Sequence, residues 1–255
     1  MNIISRCMDI FHDGIMDIIY PPRCHICKRF LRNDGVKKNQ EEHFICQACL
    51  NDFSEIIPPH CTICRKPFDS VTDDDHLCEA CLRESPFYDK LGALYLYQGV
   101  IMEAVHALKY GGRTNLVDSV GTLLVSFAKE WLGKVGDGII MPVPLHPQKL
   151  RERGFNQSLL LARPVASALG MELDYLSLRR IRYTQPQTGL KSGERRKNVR
   201  GAFGMVNQIV MKNRTVILVD DVATTGNTLN ECAKVLKKEG CGNVLCLVLA
   251  RTLGA

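Results

Sequence analysis

Eight cysteines set as four Cys-x-x-Cys pairs within 58 residues constrain this chain more than any other feature. The pairs are Cys24–Cys27, Cys46–Cys49, Cys61–Cys64 and Cys78–Cys81. A Cys-x-x-Cys turn presents two thiolates to one tetrahedral zinc ion, and a second such turn completes a four-cysteine set. The gap between Cys27 and Cys46 is 18 residues and that between Cys64 and Cys78 is 13. Both lengths suit the out-and-back hairpin of a zinc ribbon. Small and basic neighbours, as in Cys-His-Ile-Cys-Lys and Cys-Thr-Ile-Cys-Arg, leave backbone N–H groups near the sulfurs. Sequential pairing is the simplest topology: Cys24, Cys27, Cys46 and Cys49 on one ion, and Cys61, Cys64, Cys78 and Cys81 on the other. A cross-braced arrangement, first pair with third and second with fourth, is the alternative. His25, His43, His60 and His76 lie nearby and read as surface residues, because eight thiolates already fill two sites. So short a segment has little apolar core, so two structural Zn2+ ions are expected to supply its folding free energy.

The same residues divide the chain. Nine of the twelve cysteines precede residue 90. Residues 1–90 carry 11 Lys and Arg against 15 Asp and Glu, a net of −4, whereas residues 91–255 carry 22 against 12, a net of +10. The basic part invites an anionic partner such as a nucleotide, a phosphate or a nucleic acid. Ahead of the cysteines, Ile3, Ile4, Met8, Phe11, Ile15, Ile18 and Ile19 recur near helical spacing. Arg6, Asp9, Asp13 and Asp17 interrupt the apolar run that a signal peptide needs. The expected organisation is an amphipathic helix over 1–20, a double zinc ribbon over 21–88 and an α/β domain over 89–255. No apolar run reaches the length of a membrane span. With no export signal recognised, a cytoplasmic location is expected, and there the cysteines call for metal rather than disulfides.

Beyond residue 90 the pattern alternates strand with helix. Strands are expected at Leu91–Tyr97, Gly138–Val143, Thr215–Val219 and Asn243–Ala250, with weaker ones at Tyr175–Arg182 and Gly201–Val206. Helices are expected at Val100–Lys109, Leu116–Leu132, Asn156–Leu169 (kinked or split at Pro164) and Thr228–Lys238, the last ended by Gly240. Strands apolar throughout, alternating with helices, indicate a mostly parallel sheet covered on both faces. Cys232 and Cys246 sit in apolar surroundings and read as small core residues.

The segment Val216-Ile-Leu-Val-Asp-Asp-Val-Ala-Thr-Thr-Gly-Asn-Thr228 follows a strand and leads into a helix, the place where open α/β sheets bind ligands. Ala223, Thr224, Thr225, Gly226, Asn227 and Thr228 offer outward N–H groups, hydroxyl donors and a helix dipole, which together suit a phosphate. Asp220 and Asp221 would repel that phosphate and suit a neutral diol, such as the 2′- and 3′-hydroxyls of ribose.

This ordering resembles the phosphoribosyl pyrophosphate (PRPP) motif of type I phosphoribosyltransferases. Three further stretches narrow the likeness: Pro142-Val-Pro-Leu-His-Pro-Gln-Lys-Leu-Arg-Glu-Arg-Gly-Phe-Asn-Gln157, Arg182-Tyr-Thr-Gln-Pro-Gln-Thr-Gly-Leu with Arg195-Arg-Lys-Asn-Val-Arg-Gly-Ala-Phe203, and His106-Ala-Leu-Lys-Tyr-Gly111 with the closing Leu249-Ala-Arg251. Together they resemble the ComF family of competence-associated proteins over about residues 20–251. The resemblance implies a type I phosphoribosyltransferase fold with PRPP held as its Mg2+ complex. It places Leu145, His146, Lys149, Arg151 and Arg153 at the pyrophosphate loop. It makes Thr184–Asn198 a basic hood, with Gln187, Arg195, Arg196 and Lys197 over the site. Asp221 and His146 are then the candidate catalytic bases. It further implies a role in natural competence, with single-stranded DNA and a competence helicase as partners. Phe155, Tyr183 and Phe203 are candidates to stack bases. A phosphoribosyltransferase of nucleotide or cofactor metabolism and a non-catalytic PRPP-sensing regulator are the alternatives.

Overall fold

A computed structural model describes residues 21–31, 44–68, 74–184, 197–206 and 211–253. The expected helix over 1–20, and His43, Gln187, Arg195 and Arg196, lie outside the described residues. The strands are β1 (Lys90–Leu96), β2 (Gly138–Pro142), β3 (Glu172–Leu173), β4 (Leu178–Arg180), β5 (Phe203–Met205), β6 (Thr215–Ala223) and β7 (Val244–Arg251). The helices are α1 (Gln47–Asn51), α2 (Glu79–Arg83), α3 (Gly99–Tyr110), α4 (Leu116–Leu132), α5 (Pro147–Arg153), α6 (Gln157–Leu169) and α7 (Asn227–Lys238). No helix among the described residues is long and apolar enough to cross a membrane.

Five strands form one sheet in the order β1-β7-β6-β2-β3, every pair parallel. Successive side chains of a strand point to opposite faces, and the two cores follow that alternation. Val216 and Leu218 of β6, with Cys246 and Val248 of β7, pack under Leu229, Cys232, Ala233 and Leu236 of α7. Ile217 and Val219, with Leu247 and Leu249, pack under α3, α4 and α6. Cys232 and Cys246 are fully buried core residues, as their surroundings imply. α6 runs unbroken through Pro164 instead of splitting there. β4 and β5 pair antiparallel outside the sheet, which corrects the simple alternation read from sequence. β3 is two residues long, too short to leave a periodic trace.

The cysteine module is fastened to this sheet rather than hung from it. Leu96 N–H donates to Ser54 O (2.8 Å), Ile56 N–H to Leu94 O (3.0 Å) and Leu91 N–H to Ile63 O (2.7 Å). These bonds cover the outer edge of β1, which would otherwise present unpaired backbone groups. The first ribbon packs into the core under α3, α4 and α6, and the second into the core under α7. The ribbons therefore straddle the sheet edge, one against each face.

A fully parallel sheet places all its carboxyl ends along one edge. Tyr97 after β1, Pro144–Leu145 after β2, Asp220–Thr228 on and after β6, and Thr252 after β7 gather there.

Candidate functional site

The carboxyl edge holds a cavity of about 480 Å3. One wall is formed by Asp220–Thr224 and Gly226–Leu229, while Thr225 faces a smaller pocket beside Cys64, Cys78 and Cys81. Backbone pairing carries β6 through Ala223, opposite Arg251 of β7, so Asp220 and Asp221 lie on the strand rather than in the loop expected from sequence. The turn itself is Thr224–Gly226. Gly226 takes φ +75° and caps α7, a left-handed conformation that a side chain resists. Asn227, the first residue of α7, and Thr228 turn the helix N-terminus toward the cavity.

Residues from several elements hold the two acids. Asp220 is 8% exposed and Asp221 3%. Ser158 Oγ donates to Asp220 Oδ1 (2.7 Å), and the backbone N–H of Asp221 donates to the same oxygen (2.9 Å). Gln157 Nε2 donates to Asp221 Oδ1 (3.3 Å). Lys109, near the end of α3, forms an ion pair with Asp221 Oδ2. The local sequence explains how Gln157 and Ser158 arrive. Gly154, at φ +83°, ends α5. Asn156 starts α6, accepting from Ser158 N–H (3.0 Å) and donating Nδ2 to Val143 O at the end of β2 (3.1 Å).

Burial and the neighbouring charge of Asp221 raise the Asp220 carboxyl from 3.8 to about 7. Burial would also raise Asp221, but the Lys109 ammonium outweighs it and holds that carboxyl below its ordinary value. Burial acts against the charge on Lys109, and Asp221 more than restores it. Near neutral pH the triad therefore carries one firm negative charge, one positive charge and one carboxyl poised to titrate.

The cavity is also lined by basic residues. Lys149 and Arg153 of α5 and Arg180 of β4 line the cavity with Leu145, Tyr110 and Thr184. Arg180 donates to the Thr184 hydroxyl and lies 5.3 Å from the Phe203 ring centroid. The β4–β5 hairpin thus carries a guanidinium to the cavity rim. Such a cavity can hold an anion at its cations and helix N-terminus and a diol at its acids.

Several sequence-derived residues sit elsewhere. His146 is the N-cap of α5: its Nδ1 accepts from Gln148 N–H (3.3 Å), and its ring stands edge-on to Tyr183 (5.2 Å). Neither His146 nor Arg151 is among the lining residues, and the lone pair a base would use is engaged in the cap. The expected loop Leu145–Lys149 is helical from Pro147 onward. Phe203 is 4% exposed beneath Arg180 and is not available to stack a base. Tyr183 is half-exposed. Of the expected hood, Thr184, Lys197 and Asn198 are described; Thr184 lines the cavity and Lys197 does not. Lys109, Gln157, Ser158 and Arg180 received no role from sequence. The first three stand in or beside the stretches His106–Gly111 and Pro142–Gln157, and that was the available signal.

The cysteines form two groups, Cys24, Cys27, Cys46 and Cys49, and Cys61, Cys64, Cys78 and Cys81. Pairing is sequential, and the cross-braced alternative is excluded. Sulfur separations are 3.8 Å for Cys24–Cys49, 3.6 Å for Cys27–Cys46 and 3.7 Å for Cys64–Cys78. A tetrahedron with Zn–S bonds of about 2.3 Å has edges of about 3.8 Å, so both groups fit zinc. Each first knuckle closes alike: Lys28 N–H donates to Cys24 O (3.0 Å) and Arg65 N–H to Cys61 O (2.8 Å). Each second knuckle starts a one-turn helix, α1 after Cys46 and α2 after Cys78. Without a cation the thiols divide unevenly. The Cys64 thiol and backbone N–H groups hold Cys61 down to about 4, while burial and the Cys61 charge push Cys81 up to about 12. A divalent ion would let all four ionise together.

Comparison with known proteins agrees with both parts. Residues 15–82 match the double zinc ribbon domain, and residues 156–254 match the phosphoribosyl transferase domain. The chain is 31% identical over 212 residues to the DNA utilization protein YhgH of Escherichia coli O157:H7, covering 82% of this chain and 91% of that one. It is 29% identical to competence protein F of Haemophilus influenzae, covering 81% and 90%. It is 25% identical to competence protein ComFC of Bacillus subtilis, covering 77% and 79%.

Proposed function

The chain belongs to the ComF family, and from that premise we propose that it binds PRPP in the carboxyl-edge cavity and acts in the handling of single-stranded DNA during natural competence. The observation that carries the PRPP reading is the arrangement of the cavity: an acid pair, a phosphate-type turn and a basic wall face one volume. Backbone N–H groups of Ala223–Thr228 receive the 5′-phosphate. Asp220 and Asp221 accept from the ribose 2′- and 3′-hydroxyls. Lys149 and Arg153 lie where the diphosphate would extend. Mg2+, arriving with PRPP, would neutralise part of the diphosphate charge.

Calorimetric titration of the zinc-loaded protein with PRPP and Mg2+ tests this reading. Micromolar binding is expected, and a double Asp220→Asn, Asp221→Asn variant should lose it. A folded wild type that does not bind PRPP contradicts the assignment.

The DNA reading draws on the names of the relatives and on the +10 net charge of residues 91–255. Single-stranded DNA affinity should fall steeply with salt, as phosphate contacts release counterions. An affinity indifferent to salt removes this part.

A second reading, phosphoribosyl transfer, is favoured by the basic wall. C1–O cleavage would leave an oxocarbenium-like centre over the acid pair and a pyrophosphate against Lys149, Arg153 and Arg180. Release of pyrophosphate in the presence of an acceptor is the expected sign of turnover.

A further inference from the structure

The second cysteine group shares a wall with the turn proposed to hold the 5′-phosphate. A pocket of about 250 Å3 separates them, with Cys64, Cys78 and Cys81 on one side and Thr224–Asn227 on the other. Arg251, the last residue of β7, lines it too. Arg251 is 6% exposed. Its Nη2 donates to Cys64 Sγ at 3.5 Å, while Nε and Nη1 have no hydrogen-bond partner among the described residues. No carboxylate among the described residues forms an ion pair with it. A buried guanidinium needs a counter-charge. Four thiolates around Zn2+ carry a net charge of about −2, and the Cys64 sulfur of that cluster is in direct contact with the guanidinium.

The same residue adjoins the phosphate turn. Arg251 pairs in register with Ala223. The next residue, Thr252, donates its N–H to Ala223 O (3.1 Å) and its hydroxyl to Thr224 O (3.2 Å). The chain leaving the second group braces the turn from its other side. Tyr88 Oη lies 3.3 Å from where a Cβ on Gly226 would stand, and Phe87 N–H donates to Asn230 Oδ1 of α7 (2.6 Å). Among the described residues the first group has no such contact: it packs into the core under α3, α4 and α6, with Arg113 Nη1 donating to His25 O (2.7 Å).

We propose that Arg251 is a positioning residue that couples metal occupancy of the Cys61–Cys64–Cys78–Cys81 group to phosphate binding at Thr224–Thr228. This rests on the reading of that turn as a ribose 5-phosphate site. With zinc bound, the tetrathiolate anchors Arg251 and fixes the end of β7 behind the turn. Once zinc is lost the guanidinium loses most of that counter-charge, and the wall of the turn shifts with it. Coupling of this kind is reciprocal, so a ligand on the turn must tighten the metal by the same factor.

The test uses the zinc-loaded full chain and ribose 5-phosphate, whose binding is first measured by calorimetry. Zinc transfer to a chromogenic chelator is then followed with and without saturating ribose 5-phosphate. A Cys27→Ser variant assigns the kinetic phase of the first group. Ribose 5-phosphate should slow release from the second group by about a hundredfold and leave the first unchanged. Arg251→Gln should abolish the slowing and weaken ribose 5-phosphate binding. Arg251→Lys, which keeps the charge, should retain part of both effects. Binding that leaves both release rates unchanged overturns the coupling alone. So does slowing that persists in Arg251→Gln. Absence of any calorimetric binding overturns the reading of the turn, and the coupling with it.

Discussion

The two four-cysteine groups are near-copies in local structure and differ in what they touch. Both close a first knuckle with a basic residue at positive φ, Lys28 and Arg65, and both start a short helix from the third cysteine. The first leaves Cys27 exposed and rests against the face that carries α3, α4 and α6. The second buries all four cysteines beneath the end of β7 and the phosphate turn. A structural metal site acquires its importance from its neighbours. The first group completes a core. The second sits directly behind the candidate ligand site.

The largest expected effect separates the two directly. Cys64→Ser should cut ribose 5-phosphate affinity by about a hundredfold, near the upper end of coupling between sites. Cys27→Ser should leave it within about twofold. Calorimetry on both variants decides, and equal losses would erase the distinction.

The face under α3, α4 and α6 also reaches the site, through Lys109. Lys109→Met leaves Asp221 buried without its partner and should cost about 3–5 kcal/mol of stability in denaturant unfolding. Adding Asp221→Asn to that variant should restore part of the loss, because the uncompensated charge is removed.

A pH series sharpens the role of the other acid. Folded Asp220 keeps its proton up to about 7, whereas the unfolded chain releases it near 3.8. The folded state therefore binds the extra proton, and this group's contribution to stability declines as pH rises from 3.8 through about 7. Asp221, held below its ordinary value, acts in the opposite sense and only below that window. Ligand affinity should rise as Asp220 ionises, since a carboxylate accepts from ribose hydroxyls better than a carboxyl does. Asp220→Asn should flatten both profiles. The residual slope in that variant then belongs to the ligand phosphate.

The smallest effect concerns Arg113, the arginine that serves the first ribbon. Arg113→Ala should cost about 1–2 kcal/mol of stability by removing its bond to His25 O. It should leave ribose 5-phosphate affinity unchanged, in contrast to Arg251→Gln.

Much of this arrangement is written in short-range signals. Cysteine spacing gives the sequential metal groups, because a hairpin brings neighbouring pairs together before distant ones. Apolar runs give β6 and β7, and the Asp-Asp-x-Ala-Thr-Thr-Gly-Asn-Thr order gives the turn. Features that depend on tertiary partners were not legible. Asp220 and Asp221 look like loop residues because they are charged, yet pairing with β7 keeps them on the strand. Helix α5, Pro-Gln-Lys-Leu-Arg-Glu-Arg, buries none of its residues, so it carries no apolar period; only Pro147 and Gly154 mark its ends. His146 attracted a catalytic role by residue type, and its place as a helix cap became visible only with that helix in view. Lys109 and Arg251 lie 112 and 30 residues from Asp221, too far for any local pattern to pair them with the site. The attachment of the ribbons to β1 is likewise a matter of backbone bonds, which residue identity does not announce.

A crystal structure of the zinc-loaded protein with PRPP and Mg2+ would test the proposed site directly. The 5′-phosphate is expected on the N–H groups of Ala223–Thr228, the ribose hydroxyls on Asp220 and Asp221, and the diphosphate toward Lys149 and Arg153. PRPP bound elsewhere, with Lys109 and Ser158 still holding the two acids and the turn vacant, would contradict that assignment.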